Sequence, residues 1–151
     1  IKRFLRKDLI LPIVKATDKR GAIRELSELV GGQESWMNKD EVLKALLARE
    51  QLGSTGMEDG VAIPHAKVPG LKNIVLAFGR SPQGIDFQSI DGKPTTLMFL
   101  LLAPEDTTGL HLKVLARLSR LLKDAGVRDR LLSAGGREDI YKAFLDIDEK
   151  F

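Results

Sequence analysis

Two neighbouring stretches hold residues whose types and spacing could do chemistry. Gly53-Ser54-Thr55-Gly56 is a loop of small and hydroxyl residues, and Val61-Ala62-Ile63-Pro64-His65-Ala66 is an apolar run that ends on a histidine. The chain has two histidines, His65 and His111, and no cysteine. Covalent chemistry would therefore fall first to His65. An imidazole is a competent nucleophile near neutral pH, because its ordinary pKa leaves much of it uncharged. Small residues let backbone N–H groups approach an anion closely, and hydroxyls add donors. Together the two stretches read as a histidine that carries a phosphoryl group beside a cradle for its charge.

Each feature also has a plainer reading. The Gly53–Gly56 loop is, on composition alone, a turn. It is not a P-loop, since no Gly-Lys-Ser/Thr comes after it. Arg49 would ordinarily be a surface helix charge. Glu58 and Asp59 could act as general bases, but acidic loop residues are common. Two histidines without cysteine make a poor zinc site, so no metal is expected.

Composition narrows the classes further. At 151 residues the chain fits one domain, spanning 1–151, with a real core. Apolar residues at 43% and charged residues at 30% fit an ordinary globular protein. The 24 basic residues barely outnumber the 21 acidic ones, and the signs interleave, as in Asp18-Lys19-Arg20 and Lys39-Asp40-Glu41. Such faces are solvated helix surfaces, not a nucleic-acid track, so no nucleic-acid partner is expected. The longest apolar run, Leu97 to Ala103, is too short to span a bilayer, and no secretory leader pattern opens the chain. No membrane insertion is expected. The lack of cysteine fits a reducing compartment, and a cytoplasmic location is the expectation. A first residue of Ile1 suggests a trimmed product or an excised domain.

The positioning elements emerge from periodicity. Leu9 to Val14 is β-prone, and Pro12 favours an edge strand. Thr17 and Asp18 offer a helix start, and Ala22, Ile23, Leu26, Leu29 and Val30 recur at helical spacing until Gly31-Gly32. Asn38 with Glu41 makes a capping-box pattern for a second helix, whose stripe is Val42, Leu43, Leu46 and Leu47 and which runs out near Glu50. Strands are expected at Val61–Ile63 and Ile74–Phe78, with an excursion bracketed by Pro82-Gln83-Gly84 and Asp91-Gly92. Thr95 to Ala103 reads as a strand buried on both faces, stopped by Pro104. Thr107-Thr108-Gly109 opens the longest helix, with core leucines from Leu112 to Leu122. Gly126 and Gly135-Gly136 divide the C-terminal part into two more helices. A strand, two helices, several strands and three helices predict a three-layer α/β/α sandwich with a mixed sheet. His65 falls at the end of a strand, where reactive groups of open α/β sheets gather. His111 falls near a helix N-terminus, which favours phosphate.

Taken together, Arg49-Glu50-Gln51-Leu52-Gly53-Ser54-Thr55-Gly56, Val61-Ala62-Ile63-Pro64-His65-Ala66 and Leu110-His111-Leu112 resemble one family over nearly the whole chain. It is the enzyme IIA domain of the bacterial phosphoenolpyruvate-dependent sugar phosphotransferase system, of the fructose/mannitol type that includes nitrogen-regulatory proteins. Glu58 departs from the pattern, since family members often carry a small residue there. The resemblance implies that His65 accepts phosphate on Nε2 from a histidine-phosphorylated carrier protein. It implies that His111 helps hold the phosphoryl group and that Arg49 assists charge balance. Gly53, Ser54, Thr55 and Gly56 would meet the new charge, and no cofactor is required. Val68, Leu71 and Met57 are candidates for an apolar docking surface around His65. The acceptor would be an enzyme IIB domain in sugar uptake, or regulatory target proteins. With no IIB or IIC sequence in this chain, the regulatory role is expected first. A binding module that kept the fold and lost phosphorylation is the alternative from another class, and the joint presence of His65, His111 and Arg49 argues against it.

Overall fold

The apolar run from Thr95 is the centre of one mixed sheet. The computed structural model describes residues 4–33, 38–106 and 108–150. In chain order its elements are β1 (Leu5–Leu11), α1 (Lys19–Gln33), α2 (Lys39–Gln51), β2 (Val61–Ala62) and β3 (His65–Val68). Then come β4 (Val75–Ile85), β5 (Thr95–Pro104), α3 (Thr108–Leu122), α4 (Ala125–Ser133) and α5 (Arg137–Lys150). The strands lie in the order β1-β4-β5-β2, and β3 also pairs with β5. β4 and β5 are antiparallel, whereas β1 runs parallel to β4, and β2 and β3 run parallel to β5.

Side chains alternate across a strand, so β5 feeds two cores. Leu97, Phe99, Leu101 and Ala103 join Val114, Leu118, Leu121, Val127, Leu131, Ile140 and Phe144 beneath α3, α4 and α5. Met98, Leu100 and Leu102 join Ala22, Ile23, Leu26, Val30, Val42 and Leu46 beneath α1 and α2. This is the three-layer α/β/α sandwich that the order of elements predicts. Phe78, Phe99 and Phe144 stack mutually, with ring centroids 4.9 to 5.4 Å apart, and fix the α5 side.

The cap at Asn38 forms as expected, its side chain accepting from the backbone N–H groups of Asp40 and Glu41. β1 lies at the sheet edge, as Pro12 suggests, but it spans Leu5–Leu11 and not Leu9–Val14, and Pro12, which has no N–H to pair, follows its last residue. Three further local expectations, on α1, β4 and α4, need correction. α1 continues through Gly31-Gly32 to Gln33, because its buried stripe already secures it against the sheet. β4 runs through Pro82-Gln83-Gly84 to Ile85, with a register shift between Arg80 and Ile85 that absorbs the proline. Gly126 lies inside α4, and the break before that helix is made by Asp124, whose side chain caps Val127 N–H. The helix start at Thr107 lies outside the described residues, and α3 is described from Thr108.

Candidate functional site

The site forms at the sheet edge made by β2 and β3. Val61 and Ala62 pair with Leu97 and Met98, and His65 and Ala66 pair with Leu101 and Leu102, without a change of register. Only Ile63 and Pro64 interrupt this edge. Pro64 has no N–H to give, and its carbonyl accepts from Leu101 N at 2.9 Å. His65 therefore opens β3 in mid-edge; it does not lie at a strand's C-terminal end, as the sequence pattern suggests. The position depends on Pro64, which interrupts one long edge strand without ending it.

The Gly53–Gly56 loop folds back along this edge. Thr55 carbonyl accepts from Ile63 N at 3.1 Å, and Met57 N donates to Val61 carbonyl at 2.7 Å. Gly56 bridges Ala62 in antiparallel sense. A Cβ at Gly56 would lie within 3.1 Å of Phe87 carbonyl oxygen, so the close approach needs glycine. Bound on one side by Thr55, Ile63 presents its carbonyl to the Nδ1 of His65 at 2.7 Å. A carbonyl only accepts, so Nδ1 carries the proton and the neutral ring keeps its lone pair on Nε2.

His111, in the first turn of α3, brings its ring to 5.6 Å from that of His65, edge to face at 75°. It is buried, and its Nε2 has no hydrogen-bond partner. A buried polar nitrogen without a partner is costly unless something else supplies the bond. Both imidazoles are held below the ordinary histidine pKa, chiefly by burial. At His65 the Ile63 bond and Glu50 oppose this while Arg49 reinforces it. At His111, His65 and Lys67 reinforce it. Both rings are thus uncharged at neutral pH.

An open hollow of about 260 Å³ is lined by Ala45, Arg49, His65, Ala66, Lys67 and His111. Arg49 reaches it from the last turn of α2, where its Nη1 donates to Gly53 carbonyl at 2.9 Å. His65, His111 and Arg49 are therefore brought together. The loop hydroxyls are occupied elsewhere. Ser54 Oγ donates to Phe87 carbonyl and accepts from Gly56 N at 2.9 Å. Thr55 gives both its N–H and its hydroxyl to Glu50 and is buried. Val68 and Leu71 are core residues on the α1–α2 side, and Met57 packs half-buried against the other core. Leu52, Leu110 and Leu112 are exposed apolar residues near Arg49 and His111 in the chain. Leu112 is not the core leucine that helical spacing suggests, because the buried stripe of α3 runs through Val114, Leu118, Leu121 and Leu122. Lys67, which lines the hollow, and Glu50, which holds Thr55, are residues that residue type and spacing did not single out. The only hint was their place within or next to the stretches that carry the motif.

Residues 3–147 match the family model for the phosphoenolpyruvate-dependent sugar phosphotransferase system, EIIA 2. The chain belongs to this EIIA 2 family. It is 44% identical over 138 residues to a nitrogen regulatory protein of Bradyrhizobium diazoefficiens, covering 89% of this chain and 87% of that one. It is 36% identical over 140 residues to the fructose-specific EIIABC component of Bacillus subtilis, covering 93% of this chain but 22% of that longer protein. The crystal structure of the nitrogen regulatory protein IIA-Ntr from Neisseria meningitidis superposes with a TM-score of 0.88 at 34% identity, covering 94% of this chain and 97% of that one. The EIIA 2 chain thus has a phosphocarrier role, and the nitrogen-regulatory type is the favoured branch. Among the described residues no helix is long and apolar enough to cross a membrane.

Proposed function

We propose that this chain carries a phosphoryl group on Nε2 of His65, received from a histidine-phosphorylated carrier protein. The observation that carries the reading is the Nδ1 bond to Ile63 carbonyl, which leaves Nε2 as the nucleophile. In the transfer, the Nε2 lone pair forms a bond to phosphorus while the P–N bond to the donor imidazole breaks. The donor ring leaves with that electron pair, and the proton on Nδ1 of His65 stays there, still donated to Ile63 carbonyl. Phosphoryl transfer asks the protein mainly for positioning and for stabilisation of equatorial charge. Arg49 and the unpartnered Nε2 of His111 are suited to that task, because both can donate to phosphoryl oxygens. Gly53, Ser54, Thr55 and Gly56 contribute by holding the strand edge and Arg49, with their own donors turned inward. Leu52, Leu110 and Leu112 offer the apolar rim against which a donor or acceptor protein docks.

The higher identity to a nitrogen regulatory protein favours a role in which the phosphorylation state selects partners. The second reading, transfer to an enzyme IIB domain during sugar uptake, is favoured by the match to the fructose-specific component. Intact-mass measurement after incubation with phosphoenolpyruvate, the first enzyme and the carrier tests the common step. One acid-labile phosphate, absent in His65→Ala, is expected. No phosphate from donors proven active would leave a binding module on this fold. Adding a fructose-type IIB domain to the phosphorylated protein then separates the two roles by whether the phosphate moves on.

A further inference from the structure

Consecutive residues of the last turn of α2 grip the same loop. Arg49 holds Gly53 carbonyl, while Glu50 turns away from the hollow and accepts from Thr55 N at 3.2 Å and from Thr55 hydroxyl. The Glu50 side chain is only 6% exposed, and Lys19 Nζ pairs with it at 2.5 Å. Lys19 also donates to Phe87 carbonyl and to Ser54 Oγ, each at 3.4 Å. A carboxylate this buried must be paired and hydrogen-bonded to be tolerated, and here its partners are Thr55 of the loop and Lys19, which itself reaches Ser54 of the loop and Phe87 carbonyl. From Thr55 the bonding continues: its carbonyl holds Ile63 N, and Ile63 carbonyl holds Nδ1 of His65.

We propose that Glu50, anchored by Lys19, is a positioning residue for His65: through Thr55 and Ile63 it fixes the tautomer and ring orientation in which His65 accepts phosphate. The proposal rests on the reading of His65 as the phosphorylated residue. Two further features support it. Only Ile63 and Pro64 separate β2 from β3, and Ile63 gives its N–H to Thr55 and not to β5. The position of its carbonyl therefore depends on Thr55. The Nδ1–H form is also the minor neutral tautomer of free histidine in water, so it has to be selected by its partner. A buried ion pair adds little net stability over an apolar substitute, which fits a pair retained for placement.

The test is long-range 1H–15N spectroscopy of His65 together with its phosphorylation rate, in the full chain. Wild type should hold the Nδ1–H form. Glu50→Gln and Thr55→Val should each populate the Nε2–H form and slow phosphorylation by about 10- to 100-fold, the range expected when a reacting group is misplaced by up to an ångström. Arg49 and Glu50 of α2 are the charged groups that act on the His65 ring, Lys67 of β3 lines the same hollow, and the titratable neighbour from α3 is the His111 ring. Of these, Glu50 raises the His65 pKa. Glu50→Gln should therefore also lower that pKa, while Thr55→Val keeps the charge and isolates the positioning. Lys19→Met should match Glu50→Gln in tautomer and rate, and Lys19→Arg should restore both. A folded Glu50→Gln with wild-type tautomer and rate would overturn the proposal. If Glu50→Gln does not fold, an unchanged Thr55→Val does so instead. Should wild type take no phosphate from an active donor, the functional reading fails, yet the tautomer spectra still decide whether Glu50 positions the ring.

Discussion

The Nδ1–H of His65 donates to the carbonyl of Ile63, two residues earlier on the same edge, at 2.7 Å. This bond commits one ring nitrogen and leaves the other basic. Phosphate should therefore be found on Nε2, with the Nδ1 proton retained. Nitrogen-15 shifts and phosphorus–nitrogen couplings of the phosphorylated protein read this directly. A phosphate on Nδ1 would mean that the ring leaves Ile63 before it reacts.

His111 separates stability from transfer. Its buried Nε2 has no partner in the unphosphorylated protein, so replacing the ring removes a desolvated polar group without breaking a bond at that atom. His111→Leu should keep or raise the melting temperature and slow phosphorylation about 100-fold, the scale of losing one donor to transition-state charge. A destabilised His111→Leu with normal transfer would make His111 a packing residue.

The two lowered histidine pKa values set an acid limit. Burial holds both rings below the ordinary value in the folded chain, whereas the unfolded chain takes up protons near about 6.5. On acidification the unfolded state therefore binds protons first. The contribution of these rings to stability is complete above that value and is lost as the pH falls through the folded values. Phosphorylation should fall in the same window, since protonation removes the nucleophile. Urea midpoints and single-turnover rates from about pH 7.5 down to about pH 5 would check this. A decline that begins well above about pH 6.5 would contradict the lowered values.

Arg49 acts on the charge and on the loop. Its guanidinium lowers the His65 pKa and donates to Gly53 carbonyl at 2.9 Å. Arg49→Ala should raise that pKa and slow transfer, with a stability loss of about 1 kcal/mol for one hydrogen bond. Arg49→Lys should keep the charge effect on His65 but lose the forked geometry that can hold Gly53 and a phosphoryl oxygen together. Histidine titration by NMR beside transfer rates distinguishes the two. A loss of stability alone, with titration and rate unchanged, would make Arg49 only a loop clamp.

Much of this protein was determined by the sequence itself. The double burial of β5 comes from an apolar run with no polar alternation, and the helices of both outer layers come from their apolar spacing. The cap at Asn38 comes from a side chain that satisfies helix N–H groups locally. His65, Arg49 and His111 were legible as candidates because histidine is scarce here and the motif around it is dense. Periodicity could not show that Pro64 leaves His65 in mid-edge, because both flanking strands keep their register only through β5. Nor could it show that Ser54 and Thr55 spend their hydroxyls within the fold, since those partners, Phe87 and Glu50, come from other parts of the chain. The meeting of the two imidazoles and the hold of Lys19 on Glu50 were decided by the tertiary structure alone. Local pattern reports which face of an element is buried; only packing decides which elements meet and which donors remain free.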